Sequence, residues 1–573
     1  MARYDLLVRD CTLIDGTGRP RVAADIAIIG GVIQKIGLGL AADTAEQCIE
    51  ARGAIVAPGI IDPHTHYDAQ IHWDPYCTSS GWHGHTTVGV GNCGFGFAPC
   101  AADSRERYMR MMENTEQVPL DALRKGLAWN WETFPEWMER MRALPKGVNV
   151  ASYLPLNSLM MYVMGYEAAK RRGATTAERG RMRDLLNEAM DVGAIGFALS
   201  HLNERNSHKD CDGTPMPTDM MHIEDAFSLA EVLRERGQGV IQCLCEIPGG
   251  GTNRATAEEL ARRSRRPILH NIIAPFDALP DYHRSILRWL DEMEREGLEI
   301  YSQAFCYREW SEFNVNDYNA WSHIPLFNTF SHAGDPAAKA ALASDAAFLA
   351  RARAEYQPMM MIGAGGPLET FIFHRGPEVM KSIEGKTLVE IAAARGVPVT
   401  DVFFGLVAES GSTAEFRTLD PVSQSPELMC EVVGHHRVVP GTSDGGAHVK
   451  FHAGGQYSTD MLMHLSRDSG LFSLEDLHHR LSAVPARVLG LEGRGTLVEG
   501  AAADLYMYDI DRLSYPYQQY EVLHDLPGGD WRRTCRPSGI EAIVVNGVQT
   551  FSQGQSTGAT PGVMLGSSSA PRG

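Results

Sequence analysis

Two histidines, His64 and His66, close the apolar run "APGIIDPHTHYDAQ". Residues i and i+2 of a strand point to the same side, so both imidazoles face one way at the strand's carboxyl end. A neutral imidazole is a good zinc ligand. Three more segments carry donors of matching chemistry. Cys93 in "GNCG" offers a thiolate, a soft and tight zinc ligand. His270 in "PILHN" offers a further imidazole, and Asp444 in "GTSDGGAH" a carboxylate. Each has an ordinary explanation when taken singly. A free cysteine is most often a small buried thiol, and an aspartate before two glycines is common turn chemistry. Taken together, donors at the ends of four different strands point to a metal site. The chemistry of such a site is hydrolysis, because bound zinc brings the pKa of water down towards about 7 and polarises a carbonyl.

Such donors need elements that carry them to one place. Short apolar runs stand at 59–66, 86–94, 148–157, 193–200, 239–245, 266–273, 298–305 and 438–446. Amphipathic helices precede several of them, including "HIEDAFSLAEVLRERG", "TAEELARRS" and "DYHRSILRWLDEMEREG". This alternation predicts an α/β fold, a (β/α)8 TIM-like barrel whose chemistry lies at the carboxyl ends of its strands. The run "MMMIGAGG" at 359–366 is left over by that count. The chain ends read differently, as short strands with hairpin turns at Asp15-Gly16, Gly30-Gly31 and Asn546-Gly547. Neither end alone has enough strands for a core, so 1–58 and 491–552 are expected to build one small β-sandwich domain. The barrel domain then spans 59–490. Its seventh and eighth strands are separated by an insertion around 306–437, read as a lid over the top face. Residues 553–573 are rich in Gly, Ser and Pro and read as a disordered tail or an arm on a neighbour, which leaves a homo-oligomer open.

Composition removes several function classes. A net charge of −19 argues against a nucleic-acid partner, since phosphate contacts need a basic face. No apolar stretch has the length of a membrane span, and the first residues lack the basic-then-apolar pattern of a secretory leader. The eleven scattered cysteines read as reduced thiols, in keeping with a cytoplasmic location. The expected partner is a small molecule.

The stretches "APGIIDPHTHYDAQ", "TTVGVGNCGFGFAP" and "GTSDGGAH", inside split β-rich ends, resemble the amidohydrolase superfamily. Within it the chain is most similar to the D-aminoacylases, over nearly its whole length. The resemblance implies a metal-dependent barrel hydrolase using one or two Zn2+ ions. It implies metal ligation by His64, His66, Cys93, His270 and Asp444, with Asp444 also handling the proton. Departures concern the substrate side. The family's fifth-strand histidine is replaced by Leu244, with Cys243, Cys245 and Glu246 as candidate substitutes. The sixth-strand S-H-H-K motif becomes "LHNI", so Ile272 stands where a lysine near the substrate carboxylate is expected. The seventh-strand segment is "YSQAF", and a long polar loop, "HLNERNSHKDCDGTPMPT", follows the fourth strand. Tyr67 and His448 are the expected substrate contacts; His83 is a further candidate for a contact to the substrate or to the ligands, and Trp82 and Phe95, like Tyr67, flank the donor motifs. The expected activity is hydrolysis of an amide C–N bond in a small, N-acyl-amino-acid-like compound. The alternatives are an ester, lactone or C–C bond on the same scaffold, or an assembly protein that has lost its metal.

Overall fold

All eight apolar runs form strands. The computed structural model describes residues 4–206, 208–248, 251–318, 320–321, 324–362, 365–419 and 422–567. In it the runs become β1 (Ile60–Asp62), β2 (His85–Val90), β3 (Asn149–Ser152), β4 (Gly196–Ser200), β5 (Val240–Leu244), β6 (Ile268–Ile273), β7 (Ile300–Ala304) and β8 (Val438–Pro440). β5 ("VIQCL") is buried at every position, as a parallel strand covered on both faces must be. The eight form two parallel sheets rather than one continuous sheet. One is β1-β2-β3; the other runs from the two-residue strand Leu154–Pro155 through β4, β5, β6 and β7 to β8. Backbone hydrogen bonds cross both gaps. Ile195 N–H donates to the Ser152 carbonyl at 2.8 Å, and His66 N–H to the Gly445 carbonyl at 2.7 Å.

Side chains alternate across these strands. Ile61, Ala151, Ala198, Val240, Leu269 and Val439 pack against one another in one cluster. Cys243 and Ile268 pack with Leu233, Ala257, Leu260, Ile286 and Leu290 from the covering helices in another. Three of those helices are among the ones expected, although their ends differ slightly: Ile223–Arg236, Arg254–Ser264 and Tyr282–Arg295.

Both chain ends enter one nine-stranded sheet. Ile55–Pro58 pairs antiparallel with Leu505–Tyr508, which ties the N-terminal strands to the C-terminal ones. Leu6, Val8, Ile26, Met507 and Val544 share a small core there. Asn546 and Gly547 both have positive φ, as a two-residue hairpin turn of the Asn-Gly kind requires. The region between β7 and β8 carries its own three-stranded antiparallel sheet, Trp310–Asn314, Glu415–Leu419 and Phe371–Arg375, over an aromatic core that includes Phe313, Trp321, Phe403 and Phe416. In the leftover run, Pro358–Met361 forms a single 3-10 turn, and residues 363–364 lie outside the described residues. The C-terminal segment packs on its own chain: Met564–Leu565 pairs in parallel with β3. Residues 568–573 of the expected tail lie outside the described residues. All eleven cysteines are free. Among the described residues no single helix is long and apolar enough to cross a membrane.

Candidate metal centre

The carboxyl ends of β1, β2 and β8 bring four of the five expected donors together. His64, His66 and Cys93 form a buried group in which one ring nitrogen of each histidine and the cysteine Sγ lie within 4.8 Å of one another. Asp444 Oδ1 stands 3.4 Å from His64 Nε2 and 3.7 Å from His66 Nε2, and Cys93 Sγ lies 3.5 Å from His64 Nε2. Two donors bound to one zinc ion at about 2.0–2.3 Å stand roughly 3.0–3.7 Å apart, so these separations match the edges of a coordination shell. The donor set of imidazole, thiolate and carboxylate is also the chemistry zinc takes. The residues present therefore fit a divalent ion.

Neighbouring groups orient the donors. Gln303 on β7 presents its amide oxygen to His64 Nδ1 at 2.9 Å. An amide oxygen can only accept, so Nδ1 carries the hydrogen and Nε2 keeps its lone pair for a metal. Gln242 on β5 accepts from the Cys93 main-chain N–H at 2.7 Å. Asp62 accepts from the His64 N–H at 3.1 Å. Cys93, Asp444 and His448 all have φ near +50°, a left-handed conformation that non-glycine residues seldom adopt and that concentrates at functional sites. Gly446 lets β8's loop pass close to β1: a Cβ there would lie 2.7 Å from the His66 carbonyl oxygen.

The electrostatics of the group are unbalanced. Burial pushes the Cys93 thiol well up, and Glu116 and Asp444 add to that. Burial also raises Asp444, with His64 opposing, and lowers His66, with His64 adding. No lysine or arginine is among the described residues lining the cavity above. A bound dication would supply the missing positive charge.

His270 does not join the four. On β5, β6 and β7 the pairing sets Leu244 beside Asn271 beside Gln303, and Cys243 beside His270 beside Ser302. Residues paired across a ladder share a face, so His270 lies on the face opposite to Gln303. Its Nδ1 meets Ser302 Oγ at 2.9 Å, its ring packs edge-on against Trp289, and its Nε2 lies 3.3 Å from Glu246. Although burial opposes it, Cys245 and Glu246 hold the imidazole up at about 9. A protonated ring has no lone pair for a metal. Leu244 and Asn271 occupy the cavity-facing positions of β5 and β6. The candidate substitutes do not replace them in the metal group: Glu246 is held by Arg254 through two 2.6 Å contacts, Cys243 shares the face of His270, and Cys245 meets Cys243 and His270.

Of the expected substrate contacts, His448 lines the cavity and Tyr67 does not. The Tyr67 hydroxyl meets Ser80 Oγ at 2.8 Å in a buried loop contact. His83 is spent on Thr459 and the Cys535 carbonyl. The cavity, about 250 Å³, opens above the four donors. Leu244, Ile272, Phe276 and Phe305 from the strand ends and Tyr318 and Ile362 from the region between β7 and β8 supply apolar wall. His208, from the long loop after β4, reaches it as well.

Sequence reasoning missed Glu116. It ends helix α1 (Arg105–Glu116), whose buried residues are Tyr108, Met111, Met112, Thr115 and Glu116. An acidic residue in phase with that buried stripe is the signal that could have found it. Its Oε2 lies 3.6 Å from His66 Nε2 and 3.7 Å from His448 Nε2.

Known proteins share the family and the fold of this chain. A family profile described as "Amidohydrolase family" matches residues 47–296 and 427–551. The D-aminoacylase of Alcaligenes xylosoxydans xylosoxydans is 26% identical, over 98% of this chain and 97% of that protein. Among solved structures, the N-acyl-D-glutamate deacylase of Bordetella bronchiseptica, complexed with zinc and a phosphonate mimic of the tetrahedral intermediate, superposes with a TM-score of 0.65. It is 23% identical over 98% of this chain and 99% of that one. A solved D-aminoacylase gives 0.64, at 22% identity over 98% of this chain and 100% of the other. Such structural likeness shows a shared fold.

Proposed function

The chain belongs to the amidohydrolase family, and we propose that it is a zinc-dependent hydrolase of the amide C–N bond in a small N-acyl compound. The observation that carries this reading is the convergence of His64, His66, Cys93 and Asp444 below one cavity. We read the two parallel sheets as the halves of a (β/α)8 barrel over residues 59–490. The chain-end sheet, 1–58 with 491–552, is then a small domain of its own.

His64, His66, Cys93 and Asp444 would hold the ion. When bound, it supplies a Lewis acid for the scissile carbonyl and lowers the pKa of water. Asp444 accepts the proton of the attacking water and delivers it to the leaving nitrogen. Its burial raises its basicity above that of an exposed aspartate, which suits a general base. His64 is held by Gln303 in the tautomer that leaves Nε2 free. The apolar wall excludes bulk water and accommodates an acyl or aryl group. Relatives named for N-acyl-D-amino acids support this bond class. Leu244 and Ile272, apolar at the cavity, separate this chain's substrate from theirs.

The test uses protein reconstituted with zinc and a panel of N-acyl-amino acids of both hands, aryl amides, esters and lactones. We expect at least one ion per chain and cleavage of an amide. In Asp444→Asn the fold is kept and kcat falls by roughly 10²–10⁴. Normal turnover in that variant rejects the role given to Asp444. Cleavage of esters or lactones alone replaces the amide reading.

A further inference from the structure

Glu116 is a buried carboxyl group whose charge is disfavoured by burial, with Asp444 adding to that, so that its anion needs a cation beside it. It is 1% exposed, and neither of its oxygens meets a hydrogen-bond donor. A buried charge without a partner is costly. It is also the last residue of α1, where the helix dipole is negative and repels an anion but favours a cation. The main-chain N–H of His448 donates to the Glu116 carbonyl at 2.6 Å, which pins this helix end against the loop after β8.

The distances identify the cation's place. Glu116 Oε2 lies 3.6 Å from His66 Nε2, longer than a hydrogen bond. It equals the spacing of two donors that share a zinc ion, roughly 3.0–3.7 Å. Asp444 Oδ1 stands 3.7 Å from the same nitrogen. Both carboxylates therefore flank His66 Nε2. The cavity-facing residues of β5 and β6, Leu244 and Asn271, offer neither an imidazole nor an anionic donor.

We propose that Glu116 is a ligand of the same divalent ion as His64, His66 and Asp444, contributed by helix α1 rather than by a strand end. This rests on the metal-site reading above. The shell of this chain is then completed by a helix end rather than by β5 or β6.

The test compares wild type, Glu116→Gln, Glu116→Asp and, as a control on the same helix, Glu113→Gln. Zinc affinity is measured by chelator competition, the shell by the visible spectrum of the cobalt-substituted protein, and stability by thermal unfolding with and without zinc. Glu116→Gln should bind zinc at least tenfold more weakly, with an altered cobalt spectrum. It should gain less thermal stability from zinc than wild type does. Glu116→Asp keeps the charge on a shorter arm and should fall between. Glu113→Gln should bind zinc within twofold of wild type. Zinc affinity in Glu116→Gln within twofold of wild type overturns the proposal. If wild type binds zinc and cleaves an amide while that result is found, only this inference falls. Wild type that binds no zinc removes the proposed function with it.

Discussion

The rim of this fold carries two clusters of histidine, cysteine and carboxylate, and they differ in what balances their charge. At the ends of β1, β2 and β8, His64, His66, Cys93 and Asp444 face a cavity whose described lining holds no lysine or arginine. At the ends of β5 and β6, His270, Cys245 and Glu246 find their partners within the protein, although Glu246 also reaches the cavity. Arg254 grips both Glu246 oxygens, Ser302 takes His270 Nδ1, and Trp289 covers the ring. The second cluster has its cation built in as a guanidinium; the first has donors and no cation. Residue type alone does not separate a metal site from a structural ion pair. The uncompensated charge does.

The contrast can be broken from either side. The largest effect is expected in the first cluster. His66→Ala removes a donor that faces both Asp444 and Glu116, and should weaken zinc binding by roughly a thousandfold or more, read by chelator competition. If the binding is unchanged, the two clusters do not differ as described. A smaller effect of another kind is expected in the second. His270→Asn should leave zinc affinity within twofold while costing roughly 1–2 kcal/mol of folding stability. That cost carries a pH signature. The folded His270 is held at about 9, above its ordinary 6.5. Its contribution is therefore complete below pH 6.5 and disappears as pH rises through 9. Denaturant unfolding of wild type and variant should converge at high pH. A pH-independent difference would mean that the imidazole is not charged in the fold.

Much of this was legible in the chain. The eight strands announce themselves because parallel strands buried on both faces must be nearly continuous Val, Ile and Leu, as in "VIQCL" and "RPILHNII". His64, His66, Cys93 and Asp444 follow from strand-end positions. His270 misled because a strand's two faces differ by one residue of register. In "LHNI" the face is set by what pairs with it, Ser302 and Cys243 on one side and Gln303 and Leu244 on the other. That pairing is long-range information. Tyr67 stands beside the motif yet turns into the loop at Ser80, which no local pattern announces. Glu116 arrives from a helix, and only its phase with Tyr108, Met112 and Thr115 hints at it. The polar residues Gln242 and Gln303, buried inside strands, carry a similar message: a polar side chain on an otherwise apolar strand has a partner to orient.

The most direct measurement is the anomalous scattering of crystals grown with zinc, collected on both sides of the zinc edge. A peak is expected within bonding distance, roughly 2.0–2.3 Å, of His64 Nε2, His66 Nε2, Cys93 Sγ and Asp444. A zinc-loaded crystal whose peak lies between His270 and Glu246, or which shows none at the ends of β1 and β8, would contradict it.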